Sequence, residues 1–152
     1  MGEELKVVVF RLGEQEYGVE VDHVKTIERM SPITRVPKTP PFVKGVVNNR
    51  GVVLPVIDLR ERFGLPAAEY TDGTRIIVVQ VGDLEVGMIV DSANDVRDVD
   101  SDRIEVPPEV VGGIRAKYLR GIARLDERLL VLLNLHEVLN KSEIIQLEQM
   151  EA

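Results

Sequence analysis

VKGVVNNRGVVLPVIDLRERFGL, residues 43–65, reads as strand, tight turn, strand and short helix. Asn48-Asn49-Arg50-Gly51 supplies the Asn and Gly that suit the positive φ angles of a tight hairpin turn. Val52 to Ile57 is almost wholly apolar, as a strand buried on both faces would be. Pro55 has no amide donor, so the strand needs an edge or a bulge there. Asp58 is placed to cap a short helix from Leu59 to Phe63, which Gly64-Leu65-Pro66 ends.

The stretch occurs twice. Leu119 to Asn140 aligns with Val43 to Gly64 without a gap, matching Gly45 to Gly121, Leu54 to Leu130 and Glu61 to Glu137. Phe10 to Met30 aligns in the same way with Val79 to Val99, with Gly13/Gly82, Gly18/Gly87 and Asp22/Asp91 identical. Two ungapped blocks in the same order indicate duplication of a unit of roughly seventy residues. Such a unit buries little surface alone, so the two halves are expected to share a core.

Working outward, Leu5–Leu12 and Glu16–Val21 form one hairpin, and Arg75–Val81 and Leu84–Val90 form its copy. After each hairpin apolar residues recur every third position: Val21, Val24, Ile27, Met30, and Val90, Ala93, Val96, Val99. A short helical turn and a bent strand both fit that spacing, with Asp22 and Asp91 as possible N-caps. Ser31–Phe42, with four prolines, is an extended connector. Asp100–Lys117, with Gly112 and Gly113, is its counterpart, and the last hairpin turns at Asp126-Glu127. Ser142 is placed to cap a C-terminal helix whose Ile144, Ile145 and Leu147 pack back on the body. About ten short strands with close-spaced turns predict an all-β fold with short helices, most economically two small barrels packed together.

The chain has 152 residues, of which 44% are apolar and 30% charged, as in a soluble globular protein. No apolar run is long enough to span a membrane, and MGEELK does not read as a signal peptide. The absence of cysteine removes disulfides, thiolate nucleophiles and Cys-ligated metals, and is compatible with a reducing cytosol. A net charge of −7 with few aromatic residues argues against nucleic-acid binding. His23 and His136 align with Ser92 and Arg60, unlike bases with a required geometry, and no nucleophile elbow or phosphate loop is present. Asp98, Asp100, Asp102 and Glu109 match calcium-loop spacing, but Arg103 stands where the loop needs Gly, and Pro107-Pro108 follows. The reading is therefore an acidic turn, with no metal, no cofactor and no enzymatic activity expected.

Tyr17-Gly18-Val19, Val24 and Ile27, Ile33 to Pro37 and Phe42 to Arg60 resemble the CheW family of chemotaxis coupling proteins. Val86 to Asp91 and Tyr118 to Gly121 continue the likeness, which spans residues 5–150. The resemblance implies a single CheW-like domain over 1–152, built as two packed SH3-like five-stranded β-barrel subdomains. The first half is expected at 5–66, the second at 75–140, and the C-terminal helix at 142–152. It implies a non-enzymatic, cytoplasmic adaptor, monomeric when isolated, recruited to membrane-bound receptor arrays without inserting into the membrane. Its partners would be the cytoplasmic helical hairpin of chemoreceptors and the regulatory domain of the histidine kinase CheA. Carried over by position, the receptor groove comprises Val24, Ile27, Gly45, Arg50, Gly87, Ala93 and Val96. Kinase contact is placed at Val53, Leu54, Pro55 and Val56. Two departures stand out: Asn49 replaces a common Leu, and Thr26 occupies the position where an acidic residue often pairs with the turn arginine. Glu28 or another group must then partner Arg50. The alternatives are a CheW-like scaffold for another sensor-kinase pathway and, in a different class, a small-barrel nucleic-acid binder.

Overall fold

The computed structural model describes residues 3–111, 114–126 and 128–151; Gly112, Gly113 and Glu127, read above as loop and turn, lie outside them. The protein is mostly β. The first half supplies β1 (Glu4–Leu12), β2 (Gln15–Glu20), β3 (Val24–Arg29), β4 (Val43–Asn49), β5 (Val52–Asp58) and α1 (Leu59–Arg62). The second supplies β6 (Arg75–Val81), β7 (Leu84–Val90) and β8 (Ser92–Asp100), then the short β9 (Ile104–Glu105), β10 (Val110–Val111) and β11 (Ile114–Arg115). It ends with β12 (Leu119–Leu125), β13 (Arg128–Leu133), α2 (Leu135–Val138) and α3 (Lys141–Glu151). One sheet has the order β8-β1-β2-β13-β12-β9, the other β3-β6-β7-β5-β4, and β10 and β11 pair separately.

The sheets do not follow the halves. Hairpin β1–β2 joins strands of the second half, and its copy β6–β7 joins strands of the first. The division at 5–66 and 75–140 marks the repeat, while each sheet draws on both repeats. The exchange preserves register. Gly18 lies opposite Leu132 in the parallel β2–β13 pair, and their counterparts Gly87 and Val56 lie opposite each other in β7–β5. Phe10 opposite Ala93 matches Val79 opposite Val24. Even the β9–β12 pairing of Glu105 with Ile122 has its twin in the isolated Thr34–Val46 bridge.

Packing repeats the same logic. Val7, Val9, Val99, Leu130 and Leu132 form a cluster on one face of one sheet. Their counterparts Ile76, Val78, Met30, Leu54 and Val56 form the matching cluster on the other. Val8, Phe10 and Leu12 point the opposite way, as strand alternation requires, and meet Ile77, Val79 and Val81 in a larger shared cluster between the sheets. Most of the seam between the halves is thus sealed by the protein's own side chains.

The repeated pair Gly18 and Gly87 is closely packed. A Cβ on Gly87 would meet Ile76 Cγ2 at 2.6 Å and Val56 Cγ1 at 2.9 Å, and one on Gly18 would meet Leu132 at 3.0 Å and Val7 at 3.3 Å. Pro55 is accommodated on a central strand. Val46 opposite it exchanges both backbone bonds with Thr34, so Pro55 faces a non-hydrogen-bonded position, and β7 pairing begins only at Val56.

Asp58 caps α1, its Oδ1 accepting from Arg60 N at 2.9 Å and Glu61 N at 3.4 Å. The C-terminal helix starts earlier than expected. Asn140, not Ser142, is its cap: Asn140 Oδ1 accepts from Glu143 N while Glu143 Oε1 accepts from Asn140 N, both at 2.8 Å. Leu147 is buried and Ile144 packs on the shared core, whereas Ile145 points to solvent.

Candidate functional site

The three-residue apolar spacing after each hairpin comes from β-bulges. In β3 the register against β6 shifts between Val24 and Thr26, so Val24 lies opposite Val79 and Ile27 opposite Ile77. An ordinary strand would put residues three apart on opposite faces; the extra residue returns Val24 and Ile27 to one face. β8 does the same against β1, placing Ala93 opposite Phe10 and Val96 opposite Val8. All four cross-strand neighbours belong to the shared core. Val24 and Ala93 pack onto that core, while Ile27 and Val96 reach solvent, 41% and 53% exposed. The shared core therefore emerges at two sheet margins, β3 and β8, through one exposed apolar side chain each.

Arg50 stands beside the first margin. It occupies a turn position at φ 56° before Gly51 at φ 87°, and Asn48 Oδ1 accepts from Gly51 N at 2.8 Å. Its counterpart Asp126 has φ 54°. A left-handed backbone at a residue other than Gly or Asn costs roughly 1–2 kcal/mol. The guanidinium pairs with Glu28 at 3.4 Å, while 78% of the side chain remains exposed. Glu28 thus answers for the missing acid at Thr26.

The other predicted residues are placed differently. Gly45 and Gly87 are buried, and neither presents a side chain to a partner. Of the four kinase-contact residues only Val53 is exposed; Leu54, Pro55 and Val56 are buried, Leu54 and Val56 in the cluster with Ile76, Val78 and Ile89. Val53 has an exposed neighbour in Val52 and an exposed counterpart in Leu129.

A cross-half ion pair escaped the sequence reading. Asp91 caps no helix. Its carboxylate accepts Arg60 Nε at 2.9 Å, a second bond from Arg60 Nη2, and Gly13 N at 2.7 Å. The Arg60 bonds hold the Asp91 carboxyl below the usual range against an opposing effect of burial. The only sequence signal was the identity Asp22/Asp91, which names no partner 31 positions away.

Together these features define a duplicated, two-sheet β scaffold with two matched pairs of exposed apolar residues, Ile27 with Val96 and Val53 with Leu129. The CheW-like domain model matches residues 6–143. Over 136 residues the chain is 46% identical to the chemotaxis protein CheW of Bacillus subtilis, covering 90% of this chain and 87% of that one. It is 36% identical to CheW of Klebsiella aerogenes, covering 90% and 82%. The crystal structure of the scaffolding protein TtCheW from Thermoanaerobacter tengcongensis superposes with a TM-score of 0.84 at 34% identity, covering 94% of this chain and 92% of that one. The chain belongs to the CheW-like domain family.

Proposed function

We propose that this protein is a non-enzymatic chemotaxis adaptor of the cytoplasm, joining the helical hairpin of a chemoreceptor to the regulatory domain of the histidine kinase CheA. The carrying observation is the pair Ile27 and Val96, equivalent in the repeat, exposed, and continuous with the shared core. An apolar margin of this kind suits the apolar face of an amphipathic helix, and Arg50 supplies a charged fork beside it. The kinase contact is assigned to the Val52–Val53 end of β5, in place of the buried residues that follow. No helix among the described residues is long and apolar enough to cross a membrane, so the reading places the chain at receptor arrays through its partners.

Ile27→Glu and Val96→Glu are expected to weaken capture by a receptor cytoplasmic fragment at least about tenfold. Both should melt within about 0.5 kcal/mol of the parent, since the side chains are exposed. Val24→Glu is the contrast. It packs on the core and is expected to cost about 2 kcal/mol. Undiminished binding by both exposed variants would overturn the groove assignment.

Arg50→Asn puts a residue suited to positive φ into the turn. Urea melts should show a gain of about 0.5 kcal/mol or more, while receptor-stimulated kinase output in a reconstituted assay falls. Full output from Arg50→Asn would reduce the arginine to an ordinary turn residue.

A further inference from the structure

The connector from β3 to β4 walls a cleft of about 610 Å³ with a composition unlike the rest of the surface. The chain carries a net charge of −7, yet Arg35, Lys38 and Lys44 all line this cleft, and no carboxylate does. Lys44 is neutralised by Glu61 at 2.8 Å. Arg35 and Lys38 are exposed and have no ion-pair partner among the described residues. Lys38 is held at φ 63°, a strained conformation for a lysine. Its turn is closed by Thr39 Oγ1 donating to Val36 O at 3.1 Å. Ile33 and Val43 add apolar surface, and Tyr70 lines one side with its hydroxyl committed to Asp58 Oδ2 at 3.0 Å.

The backbone points to the kind of ligand. The four prolines limit ladder bonding in residues 31–42, where only Thr34 bridges to a strand before the chain turns at Pro37-Lys38. The amide N–H groups of Arg35, Val36 and Lys38 have no hydrogen-bond partner among the described residues. Open donors at Arg35, Val36 and Lys38, two uncompensated cations and an apolar lining together suit a peptide segment bearing carboxylates. Two cations are too few for a phosphate-backbone track, which needs many such contacts.

We propose that this cleft binds an acidic peptide segment of a partner protein, through Arg35 and Lys38. The site uses none of the residues assigned to receptor or kinase, so it stands apart from the adaptor reading.

The test is fluorescence anisotropy with a labelled peptide, DEVDELDE, against its neutral counterpart NQVNQLNQ. The full-length protein should bind the acidic peptide, weaken with added salt, and ignore the neutral one. Arg35→Gln/Lys38→Asn should lose about tenfold or more in affinity; Asn tolerates the positive φ, so the melt should be preserved. Lys6→Gln/Lys25→Gln removes the same charge elsewhere and should bind normally. Equal loss in both double variants would mean non-specific charge attraction and overturn the site. Binding of inorganic phosphate in place of the peptide would overturn it too. Self-association lost in Arg35→Gln/Lys38→Asn, without peptide binding, would make the occupant a second copy and also overturn it.

Discussion

Gly45→Ala is expected to destabilise the fold severely. The residue has φ 142°, and a Cβ there would lie 2.8 Å from the Thr34 carbonyl carbon and 3.0 Å from Arg35 Cα, with the Thr34 oxygen closer still. These are backbone atoms, held in place by the two Thr34–Val46 hydrogen bonds of 2.8 Å, so no side-chain rotation relieves the clash. The expected loss is more than about 3 kcal/mol, a large part of a typical domain's stability of about 5–15 kcal/mol. Gly51→Ala is the comparison. It has φ 87° and nothing within 4 Å of the added methyl, so only backbone strain remains, about 1–2 kcal/mol. Urea melts decide: if Gly45→Ala destabilises no more than Gly51→Ala, the close crossing of the connector over β4 is wrong. Gly121 is crossed by Ile104-Glu105, but without a positive φ and with the Ile104 side chain as its nearest neighbour, so alanine there should cost less than at Gly45. Loss of partner binding in a Gly45 variant would then report a lost fold.

Arg62→Ala should detach α3. Arg62 Nε donates to Val138 O at 2.6 Å, and its two terminal nitrogens hold the Glu143 carboxylate at 3.1 and 2.9 Å. The guanidinium also lies 4.5 Å from the Phe42 ring centre and 5.2 Å from that of Tyr118. Both ion-pair side chains are nearly buried, 13% and 12% exposed. Truncating the arginine strands a carboxylate with little water, at a cost of about 3 kcal/mol or more. Adding Glu143→Gln removes the stranded charge and should restore part of that loss. A double-mutant cycle in urea, with hydrogen exchange on the α3 amides, measures both effects. A loss below about 1 kcal/mol for Arg62→Ala, or additive losses in the pair, would show that α3 is held by Leu147 and Ile144 alone.

Local structure was legible because local rules carried it. The Asp58 cap and the place of the turn at Asn48–Gly51 follow from residue type and spacing, although Arg50, not an Asn, takes the positive φ beside Gly51. The three-residue period at Val24 and Ile27 was ambiguous because a bulge in one strand is set by its neighbour's register. The candidate surface was legible in part. Ile27, Arg50, Val53 and Val96 are exposed, but Leu54 and Val56 read the same as Val53 along the chain and differ only in what covers them. Arg60 and Arg62 look like surface charges on a short helix; their partners Asp91 and Glu143 lie 31 and 81 positions away.

From the residues alone came the repeat, the strands it contains, and the glycines that both copies share. Which copy each hairpin serves was left to the tertiary structure, since the two docking positions present equivalent side chains. The physical reason lies in the joints. β7 passes to β8 through Asp91 alone, and one residue is too few to reverse a strand into a hairpin of the same sheet. The chain therefore runs on into the other sheet. After β2 the three residues Val21–His23 form a single 3-10 turn that likewise carries the chain into the other sheet, and the two halves are laced through one shared core.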